Sequence, residues 1–167
     1  MNAVPRVRAY LSLGANLEPE RHLRAALDAL AKAFGPLLVS PVYRTPAQGF
    51  AGPDFLNLAV AVDTELPASA LRDWLHALES RLGRDRTAPR LSSHTLDADL
   101  VLYGEQVVDD GEGLRLPRGD LDAAYVLKPL VDIAPDTLDP RSGRTLATLW
   151  AEHPERDRPL PAVTLRG

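Results

Sequence analysis

Phe55-Leu-Asn-Leu-Ala-Val-Ala-Val-Asp63, and then Pro67-Ala-Ser-Ala-Leu-Arg-Asp-Trp-Leu-His-Ala-Leu-Glu-Ser-Arg-Leu82, is the stretch from which the fold can be read. The first part is an apolar run of strand length, broken only by Asn57. The second carries Leu71, Trp74, Leu75, Leu78 and Leu82 at helical spacing, opened by Pro67 and closed by Gly83. A strand over 55–63 and a helix over 67–82 are therefore predicted. Upstream, Arg8–Leu13 reads as a strand ending at Gly14. Leu17–Phe34 reads as a helix, with Leu23, Ala26, Leu27, Leu30 and Phe34 on its apolar stripe, Pro19 in the first turn and Gly35 beyond it. Leu37–Tyr43 is a second strand, and Thr45–Asp54, with Pro46, Gly49, Gly52 and Pro53, is a loop. Downstream, 85–93 has no period and is a loop. Leu96–Tyr103 is a fourth strand, apolar at Leu96, Ala98, Leu100 and Leu102, and Tyr125–Ile133 is a helix ending before Pro135. Strand, helix, two strands, helix, strand is the order of a split βαβ, ferredoxin-like α+β fold: an antiparallel sheet with helices on one face.

At 167 residues the chain is of single-domain size. Its 45% hydrophobic and 25% charged residues are ordinary for a globular protein. The net charge of −4 offers no global attraction to nucleic acid or an anionic membrane. Without cysteine there is no disulfide, thiolate nucleophile or zinc-thiolate site, and no apolar run approaches the roughly 20 residues that span a bilayer. A cytoplasmic location is the expectation. Residues 153–167, rich in proline and charge, are expected to form a loosely packed tail.

Thr95-Leu-Asp-Ala-Asp99 is the most informative local feature. Residues two apart on a strand share a face, so Asp97 and Asp99 present adjacent carboxylates while Leu96, Ala98 and Leu100 face the core. Such a pair repels unless a cation or proton sits between, and hard oxygen ligands of this kind suit Mg²⁺. The same spacing also occurs on a solvated strand face carrying two exposed acids. Just upstream lie Arg81, Arg84, Arg86 and Arg90, either a solvated charge run or guanidiniums for phosphate oxygens. Asn57, in an apolar strand, needs a partner for its amide; a flat heterocycle or a neighbouring loop's backbone would serve. Phe55 and Tyr125 are core residues or stacking platforms.

Together these segments resemble the 6-hydroxymethyl-7,8-dihydropterin pyrophosphokinase family. The resemblance runs in order through Tyr10-Leu-Ser-Leu-Gly-Ala-Asn-Leu17, Tyr43-Arg-Thr-Pro46, Pro53-Asp-Phe-Leu-Asn57, Glu79 to Arg84, Thr95 to Leu100, Val126-Leu-Lys-Pro-Leu130 and Ile133-Ala-Pro-Asp136. It implies transfer of pyrophosphate from MgATP to the pterin's hydroxymethyl group, with release of AMP. On that resemblance Asp97 and Asp99 hold two Mg²⁺ ions, and Asp97, Asp99, Arg84 and His94 carry the catalysis. Thr45, Pro46, Phe55, Asn57 and Tyr125 form the pterin pocket, with the ring between Phe55 and Tyr125. Glu79 and Arg84 match family positions that contact ATP, Arg86, Arg90 and His94 are expected to join them, and 85–93 is a lid; Arg118, where the family has His, is expected to bind ATP by restoring the charge lost at His94. The partners implied are the pterin and ATP, with no nucleic acid or membrane, on a monomeric protein.

The chain departs from the family pattern at three places. Ser92-Ser93-His94 stands where the family carries Gly-Pro-Arg, Leu91 where it has a lid tryptophan, and Arg118 to Ala124 is a shorter run lacking a further Arg. These departures keep two alternatives in view: a paralogue using another pterin or serving a non-folate pathway, and a catalytically silent binding module. Retention of both Asp97 and Asp99 speaks against the silent module. An RNA-binding module on the same fold is disfavoured by the acidic charge and the lack of paired exposed aromatics on a strand.

Overall fold

The central strand is β1 (Val7–Ala15), antiparallel on one side to β4 (Phe55–Thr64) and on the other to β5 (Asp97–Tyr103). The structure is a computed structural model, which describes residues 5–47, 49–84, 87 and 93–165. β4 also pairs with β2 (Leu38–Val39) and β3 (Val42–Thr45), and β3 pairs with β8 (Ala162–Val163). The order β5-β1-β4-β3 is the one expected of the split βαβ arrangement. The strand predicted over 37–43 is in fact two. Pro41 has no N–H for the ladder, and Ser40 compensates. Its N–H donates to the Ala59 carbonyl at 2.9 Å, and its Oγ accepts the Ala59 N–H at 2.8 Å.

Two helices, α1 (Pro19–Phe34) and α2 (Ala68–Arg81), cover one face of the sheet. Leu23, Ala26, Leu30, Leu71, Leu75 and Leu78 meet Leu11, Leu13, Leu58, Val60 and Ala98 there. The expectation of helices on one face only is corrected: α3 (Ala124–Ile133) and α4 (Leu146–Ala151) cover the other. Val126, Leu127, Leu130 and Leu146 pack there on Ala59, Val101 and Leu102. The physical reason lies in β4, whose nearly unbroken apolar run leaves neither face fit for water.

β5 holds a further departure from simple alternation. Leu11 pairs with Leu100 and Tyr10 with Leu102, so Val101 is one residue too many. Up to Leu100 the even-numbered residues face α1 and α2; beyond the bulge Leu102 turns to α3 and α4, and Tyr103 turns back. Leu102 therefore does not share the face of Leu96, Ala98 and Leu100. The bulged residue also has a carbonyl to spare, and it accepts the Arg118 N–H at 2.9 Å. Between β5 and α3, β6 (Val108–Asp109) and β7 (Arg115–Leu116) make a short hairpin.

The tail is less loose than its composition suggests. Val163 and Ala162 pair with Val42 and Tyr43, the Pro161 carbonyl accepts the Arg44 N–H at 2.8 Å, and Leu165 packs on the core. His153 is buried, stacked on Trp150, with Nε2 2.6 Å from the Asp122 carbonyl and Nδ1 accepting the Glu155 N–H at 2.9 Å. Those two bonds place the ring proton on Nε2 and tie the tail to the loop before α3. Deleting the chain from Leu160 onward should cost roughly 2–4 kcal/mol, from lost ladder bonds at about 1 kcal/mol each and the Val163 and Leu165 contacts. Thermal melting of the truncated chain should fall by about 5–15 °C; an unchanged midpoint would show that β8 contributes nothing.

Candidate functional site

The register of three strands assembles the site. Gly14 on β1 pairs with Asn57 on β4 and with Asp97 on β5; Tyr43 on β3 pairs with Asn57. One row across the sheet is therefore Asp97, Gly14, Asn57 and Tyr43, and in the next row Asp99 lies beside Ser12 and Ala59. Gly14 is required for the row to close. A Cβ at that position would stand 2.7 Å from Asn57 Oδ1, well inside contact distance.

At one end of the row is the acidic group. Ligand oxygens of Glu79, Asp97 and Asp99 lie within 4.8 Å of one another. Asp97 is half exposed, Asp99 mostly covered and Glu79 buried. Glu79 reaches under β5 from α2, where its Oε2 accepts the Ala98 N–H at 2.8 Å. Arg84 joins these groups: its Nη1 donates to the Leu96 carbonyl at 3.0 Å and lies 3.4 Å from Asp97 Oδ1 and 3.5 Å from Glu79 Oε2. On the far side Arg118 Nη1 stands 3.5 Å from Asp99 Oδ1, and its Nε is 3.1 Å from Asp120 Oδ1. Burial, and then the charge of Asp97, hold the Asp99 carboxyl well above the ordinary carboxylate range, with Arg118 only partly opposing. Tyr125, whose hydroxyl is 3.5 Å from Asp120 Oδ2, is pushed up to about 12, first by burial and then by Asp120, Asp97 and Asp99.

At the other end is a polar-aromatic group. Asn57 is buried, and its Nδ2 donates to Thr45 Oγ1 at 2.6 Å. Its Oδ1 has no hydrogen-bond partner among the described residues. Phe55, two residues earlier on the same face, has its ring 6.3 Å from that of His94. Pro46 follows Thr45 and is exposed, just beyond the end of β3. Asn16, just beyond the end of β1, fixes the loops around this group. Its Nδ2 donates to the Pro53 carbonyl at 3.0 Å and to Ser93 Oγ at 3.1 Å, and its Oδ1 accepts the His94 N–H at 2.8 Å.

The structure thus gathers Glu79, Arg84, Asp97, Asp99, Arg118 and Tyr125 into one cluster and Thr45, Phe55, Asn57 and His94 into an adjoining one. Arg86, Arg90, Leu91 and Ser92 lie outside the described residues. Sequence reasoning passed over Gly14, Asn16 and Asp120 as site residues. A glycine closing a strand is the one signal that could have marked Gly14 as a close approach. It also missed a small cleft of about 30 Å³ beside Asp99, between α2 and the β6–β7 hairpin. Leu75, Leu100 and Leu114 give this cleft apolar lining; Arg72, His76, Arg115 and Arg118 give it basic side chains. Arg72 Nη1 is buried there with no hydrogen-bond partner among the described residues.

The carboxylates fit a divalent cation: hard oxygens of adjacent acids within reach of one another, and one carboxyl whose ionisation the fold itself opposes. The sign of that opposition can be tested. A carboxyl with a raised folded-state pKa costs no stability below its unfolded value near ~3.9, and its full cost is present above the folded value. Asp99→Asn should therefore raise the melting temperature of metal-free protein at pH 8, with the gap closing towards pH 4. Mg²⁺ should raise the melting point of the parent and leave the variant unmoved. A variant that melts lower than the parent at pH 8 would contradict the assignment of strain to this pair.

Comparison with known proteins places this geometry. A family model for 7,8-dihydro-6-hydroxymethylpterin-pyrophosphokinase (HPPK) matches residues 10–135. The 2-amino-4-hydroxy-6-hydroxymethyldihydropteridine pyrophosphokinase of Pseudomonas aeruginosa is 42% identical over 152 residues, which is 88% of this chain and 92% of that one. The Methylorubrum extorquens protein of the same name is 43% identical over 135 residues, covering 77% of this chain and 84% of that one. Among solved structures, wild-type HPPK-DHPS of Plasmodium falciparum superposes with a TM-score of 0.70 at 13% identity, a likeness of fold. The match covers 93% of this chain but 46% of that longer one. With the motif order, the α+β topology and the paired carboxylates in agreement, the chain belongs to the 7,8-dihydro-6-hydroxymethylpterin pyrophosphokinase family.

Proposed function

We propose that this chain transfers a pyrophosphoryl group from ATP to 6-hydroxymethyl-7,8-dihydropterin in folate biosynthesis, releasing AMP. The observation that carries the reading is the row Asp97–Gly14–Asn57, which sets a phosphate-side acid and a base-reading amide one strand apart from β1 on either side. One of the two Asn57 N–H donors is bound to Thr45, which orients the amide, and its Oδ1 is available to accept from an N–H of the pterin's amide edge. Phe55 and Tyr125 flank the ring, and Thr45 and Pro46 close the pocket. The ATP phosphates lie towards Asp97 and Asp99, within reach of Arg84 and Arg118.

Asp97 and Asp99 would hold two Mg²⁺ ions, which when bound neutralise the phosphates and acidify the hydroxymethyl group. The residues of the chain do the positioning. Glu79 accepts the Ala98 N–H and so anchors β5 to α2 between the two acids. Arg84 holds Asp97 against Leu96. Arg84, Arg86, Arg90 and Arg118 supply positive charge to the triphosphate, and His94 stands beside them where a further guanidinium would add to it. In the transfer, the hydroxymethyl oxygen forms a bond to the β-phosphorus, the bond from that phosphorus to the α–β bridging oxygen breaks, and the hydroxyl proton passes to solvent. No helix among the described residues is long and apolar enough to cross a membrane, and we take the enzyme to be a cytoplasmic monomer.

AMP release from MgATP with and without 6-hydroxymethyl-7,8-dihydropterin tests the reading. AMP formation that depends on the pterin supports it; pterin binding without AMP would point to a silent module or another substrate. Asp97→Ala should lower turnover by about 10³-fold with the fold retained by circular dichroism, and a variant keeping most of its activity would remove Asp97 from the metal site. His94→Arg should lower the KM for ATP or raise kcat by about tenfold if phosphate charge is limiting; no change in either would mean that the remaining guanidiniums already suffice.

A further inference from the structure

Arg118 occupies an unusual position. Its backbone N–H is bound to the carbonyl of the bulged Val101, which anchors the residue directly to β5. Its guanidinium then lies between Asp99, at 3.5 Å from Nη1, and Asp120, at 3.1 Å from Nε. Those contacts are of charge and not of aligned hydrogen bonds: Arg118 Nε and Asp120 Oδ1 are both buried without a hydrogen-bond partner among the described residues, close though they are. A guanidinium held by proximity alone can be exchanged at little cost, whereas a two-pronged pair could not.

Taking the proposed reaction as given, we infer that Arg118 is an exchangeable internal counter-ion of the metal site. It neutralises Asp99 while no cation is bound, and is displaced from that carboxylate to the nucleotide's phosphates when the metal arrives with ATP. The charges require some such arrangement. Asp97, Asp99 and Glu79 approach one another within 4.8 Å, and Arg84 offers Nη1 to Asp97, Glu79 and the Leu96 carbonyl but to no atom of Asp99. Of the arginines and lysines among the described residues, Arg118 is the one ion-paired to Asp99. The Arg118 side chain is partly exposed at the rim of the small cleft beside Asp99, so rotation about its own bonds can carry the guanidinium from the carboxylate to a phosphate bound next to Asp99. The consequence is an order of assembly: bare divalent cation has to compete with Arg118, whereas cation accompanied by a triphosphate offers the guanidinium a second anion in exchange.

The experiment is Mn²⁺ binding at pH 8, followed by electron paramagnetic resonance, to nucleotide-free parent, Arg118→Gln and Arg118→Lys proteins, with binding of Mg²⁺ and a non-hydrolysable ATP analogue measured by calorimetry on the same preparations. Arg118→Gln should bind Mn²⁺ alone about tenfold more tightly, because a unit charge a few ångströms away is gone, and should bind the nucleotide complex about tenfold more weakly. Arg118→Lys, which keeps the charge, should stay near the parent for Mn²⁺. A merely structural role would weaken both bindings together. Unchanged or weakened Mn²⁺ binding in Arg118→Gln overturns the inference. So does an Arg118 Nε resonance of the parent that fails to move when the nucleotide complex is added, a readout that does not depend on any variant folding. Pterin-dependent AMP release by the parent is scored separately, so failure of the proposed reaction and failure of the counter-ion exchange give different results.

Discussion

Gly14 has no side chain, and the site depends on that absence. It lies in the central strand with Asn57 on one flank and Asp97 on the other, and a Cβ would stand 2.7 Å from Asn57 Oδ1. With a side chain there, Asn57 would have to rotate away from Thr45 or β4 would have to slide. A one-residue slide would turn every side chain of β4 to the opposite face. The amide and the acids are thus set at one strand's separation by backbone hydrogen bonds on rigid strands, where geometry is held more tightly than on a loop. Asn16, two residues further along the chain, extends this control to the loops by bonding Pro53, Ser93 and His94.

The acids themselves are held against their own repulsion. Glu79 is buried beneath β5 and bonded to the Ala98 N–H; Arg84 ties it to Asp97; Arg118 faces Asp99 across a bulge. Even so, burial keeps Asp99 reluctant to ionise. A fold that maintains such a site gives up stability for it, and a divalent cation with its phosphates is the natural recipient of the stored charge. The network carrying α3 works in a different way. Tyr43 donates to Asp132, which also pairs with Lys128 at 2.8 Å, so α3 is fixed to β3 and Tyr125 at its first turn is fixed with it. Burial and Asp132 together raise the Tyr43 phenol, which remains a donor at physiological pH.

How much of the fold and site was legible beforehand differs by element. The βαββαβ order could be read because β4 and α2 each have a length and period that admit one interpretation. The interruption at Ser40 and Pro41 was visible in principle, since proline cannot serve the ladder, yet the apolar letters on either side masked it. α4 was not legible: six residues, Leu146–Ala151, are too short for a periodic signal, and the helix is stabilised by its Thr145 cap and by packing on α3. The strand in the tail was not legible because composition counts prolines and charges, while the pairing of Val163 with Val42 depends on an edge strand formed more than a hundred residues earlier.

The sequence by itself determined the family, the alternation that puts Asp97 and Asp99 on one face, and the residue types a pterin and a triphosphate need. Those are local properties: a strand's period of two and the chemistry of a side chain do not depend on what lies across the sheet. Tertiary structure alone decided that Asp97 and Asn57 flank the same glycine, that Val101 is one residue too many and so offers its carbonyl to Arg118, and that Glu79 passes beneath β5 to bond Ala98. Each of these depends on register between segments distant in the chain. Register is set by the sum of packing on both faces of the sheet, a quantity that no single stretch of sequence contains.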